Sequence, residues 1–382
     1  MAWLLGYTRR KSKVVENLPT GIPDYQMKLT IYKNGLGPDS PTAVYLGENA
    51  RDDFNDLRFT RPDGSTNLSY WIESLVSGNY AIVWINVPTD INPTHIYIYY
   101  DNPLETTSLS NESSIWTTYN YSSQFSGTQG GNGWYYYQRT RGAAPGTGWT
   151  AMNWDPVAYG GFWRGVGAWP LGLWSSQEHP YRSIDAVILW QSNTNQNLRI
   201  SGYAYRGDSG GNGTNNRIIK RNLSTNAEST LWTYTFPGIG GGTQYFNIET
   251  TKMSNESIDF YTDSLGDDGY DTQIFIPTIK TRRYASPEPT FGISKEEFNI
   301  TATDMNLDKY SCAGSCTVNA YVTWYNYGNA NIESFTPAIL IDNTILVYGT
   351  PISILALNSA SSGAIAAQTL SVGTHSICPY PN

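Results

Sequence analysis

Charge is scarce in this sequence: Asp, Glu, Lys and Arg make up 15% of the 382 residues, against about 25% in an average soluble domain. The charges sum to −8 with a pI near 5.0, which argues against nucleic acid or anionic lipid as general partners, since both need clustered Lys and Arg. Long apolar runs are missing too. No stretch approaches the roughly 18 apolar residues of a membrane-spanning helix, so membrane insertion is not expected. The opening residues Met1-Ala2-Trp3-Leu4-Leu5-Gly6-Tyr7 have neither the basic nor the apolar segment of a secretion leader. The expectation is a chain whose leader was removed, or one assembled inside a cell. Only three Cys and three His occur, which leaves little material for a metal centre or a His-dependent nucleophile.

What the sequence has instead is aromatic rings and turn residues: 29 Tyr, 13 Trp, 36 Gly and 20 Pro. That mixture describes short β-strands joined by many turns. Apolar residues alternate along "DYQMKLTIY" (24 to 32), "YAIVWINVP" (80 to 88) and "HIYIYYDNP" (95 to 103), the period of a half-buried strand. "RPDGSTN" (61 to 67) reads as a turn joining "DLRFT" to "LSYWIES" in a hairpin. Further on, "SIDAVILWQS", "LRISGYAYRG", "STLWTYTF", "QYFNIETT" and "SIDFYTD" follow one another with Gly or Asn clusters between, a rhythm that suits a jelly roll. The length calls for two or three domains. The fold expected is all-β, with three tandem antiparallel β-sandwiches: 1–107, a jelly roll over 108–296, and an immunoglobulin-like module over 297–382.

The first region carries a specific series: Tyr7-Thr8-Arg9-Arg10, Asp24-Tyr25-Gln26, Asp56-Leu57-Arg58-Phe59, Asp63-Gly64, Tyr70-Trp71-Ile72-Glu73, Val83-Trp84-Ile85, Val87-Pro88 and Ile96-Tyr97-Ile98-Tyr99-Tyr100-Asp101-Asn102-Pro103. In order and spacing it resembles a domain of unknown function common in archaeal and bacterial surface proteins, with Asp101 in place of the family's usual Gly. Arg282-Arg283-Tyr284-Ala285-Ser286-Pro287-Glu288-Pro289-Thr290 resembles the tail of the concanavalin-like lectin sandwich that follows it in many such proteins. Residues 318 to 344 resemble an immunoglobulin-like adhesion or spacer module. These resemblances imply surface architecture and no catalytic residues.

Several local motifs invite chemistry. Gly207-Asp208-Ser209-Gly210-Gly211 matches the nucleophile string of chymotrypsin-type proteases, which also need a histidine base and a buried carboxylate. His95, His179 and His375 all lie in unrelated contexts, so a Gly/Asn loop is the expectation. Arg206-Gly207-Asp208 is a tripeptide that adhesion receptors read when a loop displays it. Asp263, Asp267, Asp268 and Asp271 crowd one loop and supply enough oxygens for a structural calcium, though without EF-hand spacing; no other cofactor is expected. Asp52, Asp53 and Asp56 form a second acidic turn. Glu249 and Asp259 sit in strand-like runs without the partner carboxylate that glycoside hydrolysis requires. Cys312, Cys316 and Cys378 allow one disulfide of undetermined pairing, and one thiol is left over. Seven glycosylation sequons, at Asn67, Asn111, Asn120, Asn212, Asn222, Asn255 and Asn299, fit an extracellular surface.

Trp149, Trp154, Trp163, Trp169 and Trp174 crowd a Gly-broken segment that no regular core strand would require. Such rings pack beneath a loop or form a face for a ligand or a subunit. The function expected is therefore non-enzymatic, structural and adhesive: a turret or spike on the surface of an archaeal virion, homo-oligomeric, in contact with other virion proteins and with a host glycan or receptor. The alternatives are an exported archaeal cell-surface protein, and a carbohydrate-binding module or glycoside-active enzyme.

Overall fold

The computed structural model describes residues 3–307 except 8, 35–38, 92–93, 169, 209, 240, 268 and 299; beyond 307 it describes strands, and from 294 onward few side chains. Strand accounts for 53% and helix for 4%, so the fold is all-β, with sandwich-like sheets. Two compact units emerge. One combines Met1–Glu112 with Pro287–Asn382, and the other is Ser113–Ser286.

In the first unit, the runs 24–32 and 80–88 form strands with the bounds their periodicity predicts, while the run from 95 is a strand only to Tyr100. Asp24–Tyr32 pairs antiparallel along its full length with Tyr80–Pro88, and Leu29, Ile31, Val83 and Ile85 from this pair are fully buried. Ala43–Tyr45 adds to one side in parallel and Tyr70–Val76 to the other, making a four-stranded sheet. A second four-stranded sheet runs Thr290–Phe298, Arg9–Glu16, His95–Tyr100, Arg58–Thr60. The hairpin expected around "RPDGSTN" forms only at its tip. Asp63 Oδ1 accepts from the Ser65 and Thr66 N–H groups at 2.8 Å and Leu68 N–H reaches Phe59 O at 2.7 Å. Beyond Leu68 the chain crosses to the other sheet, where Tyr70 pairs with Ile85.

The resembling motif has physical content here. The Arg10 guanidinium lies 3.8 Å from the Tyr97 ring centre and 4.4 Å from that of Trp3, and donates to the Tyr99 hydroxyl at 2.8 Å. Asp101 adopts φ 65°, in the left-handed region where glycine is least strained. Its N–H donates to Asp56 Oδ2 at 2.9 Å and its carboxylate faces Arg9 at 3.6 Å.

The second unit is a jelly-roll-like pair of antiparallel sheets. A six-stranded sheet runs Trp149–Ala151, Trp134–Thr140, Ile184–Gln191, Glu256–Asp263, Thr214–Asn222, Glu228–Phe236. Opposite it, Asn153–Asp155, Phe162–Arg164, Gly172–Leu173, Glu178–His179, Gln273–Arg283, Gln196–Arg206 and Gln244–Lys252 line up, and Thr117–Asn120 also pairs with Gln273–Arg283. One core joins the sheets: Trp134, Tyr136, Ile188 and Phe260 from the first pack with Ile200, Phe246, Phe275 and Ile279 from the second.

Candidate functional site

Four short strands carry the tryptophan-rich segment: Trp149–Ala151, Asn153–Asp155, Phe162–Arg164 and Gly172–Leu173. Trp154 and Trp163 are directly opposite each other in the Asn153–Asp155/Phe162–Arg164 pair, and Trp163 is opposite Leu173 in the next strand. This places the rings in register, and their surroundings differ. Trp163 is 4% exposed; it stacks on Tyr136 at 4.7 Å and 11°, and its Nε1 donates to Ser126 O at 2.9 Å. It is core, and the half-buried Trp154 ring lies against it at 5.5 Å.

Two half-buried rings, Trp154 and Trp174, line a cleft of about 720 Å³ in the second unit, a volume that suits a small ligand. Each is held in place by glycines. A Cβ at Gly127 would lie 2.6 Å from the Trp154 indole, and one at Gly161 would lie 2.7 Å from it, so backbone approaches the ring closely at two places. Gly161 also has φ 101°, which side-chain-bearing residues avoid. Trp174 stacks on Phe162 at 4.9 Å and 4°, while a Cβ at Gly172 would meet its ring at 2.5 Å. Tyr159, 74% exposed, also lines the cleft, edge-on to Trp174 at 6.3 Å. Its turn is set by Asp155, whose Oδ1 accepts from the N–H groups of Val157 and Ala158 at 3.0 and 3.1 Å.

Besides Phe125 and Pro170, the lining includes polar, neutral residues: Ser126, Ser175, Ser176, Gln177, His179 and Thr272. Tyr121 holds the 174–177 turn by donating its hydroxyl to Trp174 O at 2.7 Å, and Trp174 N–H bonds Gln177 O at 2.8 Å. His179 Nδ1 lies 2.6 Å from Pro180 O; a carbonyl can only accept, so the proton is on Nδ1. Glu178, between two lining residues, is fully buried. Burial pushes its carboxyl well above the usual carboxylate range, with Thr262 opposing.

The other sequence candidates lie elsewhere. Trp149 is on the six-stranded sheet, beneath the Arg221 guanidinium at 4.3 Å and edge-on to Tyr137 at 5.7 Å. It borders a separate depression of about 210 Å³ with Tyr135, Leu189 and Gln191. Trp169 lies outside the described residues. The acidic loop is built of ion pairs: Asp263 Oδ1 is 2.5 Å from Arg141 Nη2, Asp271 faces Arg206 at 3.4 Å, and Asp267 accepts from Gly269 N–H at 3.1 Å. Asp268 is outside the described residues, among which no group of three or more His, Cys, Asp or Glu could hold a metal ion. Ser209 and Cys312 are likewise outside them, as are the side chains of Cys316 and Cys378, whose backbones begin or continue the strands Cys316–Asn326 and Ile377–Tyr380.

In the Arg-Gly-Asp string the arginine is turned inward, while Gly207 is exposed and Asp208 half-buried. Arg206 is 8% exposed and donates to the carbonyls of Pro237, Gly210 and Tyr270, while Asp208 accepts the Thr272 N–H. Glu249 pairs with Arg199 at 2.6 Å on the eight-stranded sheet and Asp259 with Arg221 at 2.7 Å on the other. Sequence reasoning missed the cleft's polar wall, because Ser126 and Thr272 are far from the tryptophans in the chain.

Residues 53–137 match the family described as Domain of unknown function (DUF2341). No curated protein matches the sequence. Two crystal structures of a GH2 beta-galacturonidase from Eisenbergiella tayi, bound to galacturonate and to glycerol, are similar at 9% and 9% identity, with TM-scores of 0.22 and 0.17. The alignments cover 66% and 70% of this chain, which spans 37% and 43% of theirs. A likeness that distant carries no argument about activity.

Proposed function

We propose that the chain is a non-enzymatic adhesive surface protein that attaches to a surface glycan through the cleft of its 113–286 unit. The observation that carries the reading is the pair of glycine-clamped indoles, Trp154 and Trp174, beside a wall of neutral hydrogen-bonding groups. Rigid rings give large contact area at little conformational cost, and their positions are set before a ligand arrives. Hydrolysis of a glycosidic bond would need two carboxylates flanking the sugar. The acids nearest the cleft in sequence are otherwise engaged: Asp155 caps its own turn, Asp271 faces Arg206 and Glu178 is in the core.

The setting proposed first is a turret or spike of an archaeal virion, where copies of the chain assemble with other virion proteins. An exported archaeal cell-surface protein is the second. Both agree with the surface-protein resemblance of the first region. Immunogold labelling of producing cells and of released particles separates them: label on particles supports the first, label confined to the envelope the second, and label only in the cytosol overturns both. For attachment itself, Trp154→Ala combined with Trp174→Ala should weaken binding to host envelopes at least about tenfold, or ~1.4 kcal/mol. Undiminished adhesion by that variant, or release of reducing sugar by the native chain, would overturn the reading.

A further inference from the structure

The cleft is uncharged to an unusual degree for one so polar, and this bears on which glycan it takes. Among the described residues its lining includes no Asp, Glu, Lys or Arg. The charges that neighbour it along the chain all point elsewhere. Asp155 caps the Tyr159 turn, Asp271 next to Thr272 is buried against Arg206, and Glu178 between Gln177 and His179 is buried in the core. Burial also pushes the Glu178 carboxyl well above the usual carboxylate range.

We infer that the cleft is selective for uncharged sugars, with the ring faces of a neutral hexose or pentose on Trp154 and Trp174 and its hydroxyls on Ser175, Gln177 and His179. This rests on the glycan-binding reading above and narrows it. Hydroxyls, an amide and an imidazole can exchange donors and acceptors with sugar hydroxyls, replacing the water that binding removes. A carboxylated sugar would lose the hydration of its charge and find no cation in the lining. An amino sugar would find no carboxylate. Both are therefore disfavoured by unpaired buried charge, the usual way a site rejects a close analogue.

The clamping glycines make the platform itself testable. Gly127→Ala puts a methyl 2.6 Å from the Trp154 indole, so that ring must shift and neutral-sugar affinity should fall at least fivefold. Because that methyl also disturbs local packing, Gln177→Lys provides an independent reading: it adds a cation to the rim and should raise affinity for uronate oligomers while lowering it for neutral ones.

The experiment is a tryptophan-fluorescence titration of the full chain, backed by calorimetry. Its probes are cello-, xylo-, manno- and malto-hexaose, oligogalacturonate, chitosan oligomers and an apolar peptide. The expected result is saturable quenching by at least one neutral series, at least tenfold weaker binding of oligogalacturonate and chitosan, and reversal of the uronate preference by Gln177→Lys. Equal or tighter binding of a charged series overturns the selectivity and leaves the glycan reading standing. Binding of the peptide but of no sugar overturns both the selectivity and the glycan reading, while adhesion that still depends on Trp154 and Trp174 would keep the cleft as the attachment face. No response to any probe overturns the inference outright.

Discussion

A tryptophan's role here is decided by what covers its two faces. Trp163 has Tyr136 stacked on it and the tilted Trp154 ring at 5.5 Å, and its Nε1–H is satisfied by Ser126 O. Trp163→Ala should therefore lower stability by about 3–5 kcal/mol, as a buried aromatic truncation does, and denaturant unfolding would show it as a reduced midpoint. A midpoint equal to that of the native chain would remove Trp163 from the core and return it to the candidates for a binding face. Charge at single residues gives a second expectation. Burial lifts Asp271 to about 7, against the opposing pull of Arg206, and lifts Asp185 to about 6, whereas an unfolded Asp titrates near ~3.9. Within that window the folded chain holds protons that the unfolded chain has released. Their stabilising contribution is complete below the unfolded value and is lost as pH rises through the folded one. Thermal melts should thus show stability declining from about pH 4 to about pH 7 through these two groups, and Asp271→Asn should flatten part of the decline. An unchanged slope in that variant would mean that Asp271 stays ionised against Arg206.

At the scale of elements, legibility in the sequence follows strand length. Asp24–Tyr32 and Tyr80–Pro88 have nine residues each, enough alternation to mark a strand and both its ends, because one face is buried at every second position. The tryptophan segment offered no such signal. Its strands have three residues or two, too few for a period, and Gly165 and Gly167 interrupt what pattern there is. Yet Trp163, Leu171 and Leu173 are buried, because they join a core with Ile188, Ile200 and Phe275 from strands farther along the chain. The rings of the cleft were legible as rings; that Trp154 and Trp174 share a cleft with Ser126 and Thr272 was not, since only the tertiary fold brings those positions together. Glu178 had no legible role either: in "QEHP" it reads as a turn acid, and its burial comes from its place between Gly172–Leu173 and Gln273–Arg283. The hairpin at Asp63-Gly64 misled for a related reason. Turn chemistry fixes the tip, but partner choice beyond it depends on burial, and Tyr70 is buried opposite Ile85 in the other sheet.

For the whole molecule, the order of pairing along the chain has the largest consequence. Arg9–Glu16 pairs with Thr290–Phe298 on one side and with His95–Tyr100 on the other, so the sheet of the first unit is completed only by chain that follows the second unit. Ser113–Ser286 is thus an insertion within the sequence of the first unit. Its own ends meet: Thr117 is opposite Thr281 and Asn120 opposite Thr278 in neighbouring strands, the arrangement that lets a domain be inserted or excised with little strain. The 113–286 segment expressed alone should therefore fold, melt cooperatively, and retain the Trp154/Trp174 cleft with its ligand affinity within about twofold, because every residue of the cleft and its core lies inside it. A chain ending at 286 should fare worse. It keeps the second unit intact but leaves Arg9–Glu16 as an unpaired edge, which lowers the stability of the first unit and exposes a strand to intermolecular pairing. Calorimetry should then show one transition at its usual temperature and one lowered or lost, with increased light scattering. If the excised segment fails to fold while the chain ending at 286 melts like the full-length protein, the division into an inserted unit and a host unit is wrong.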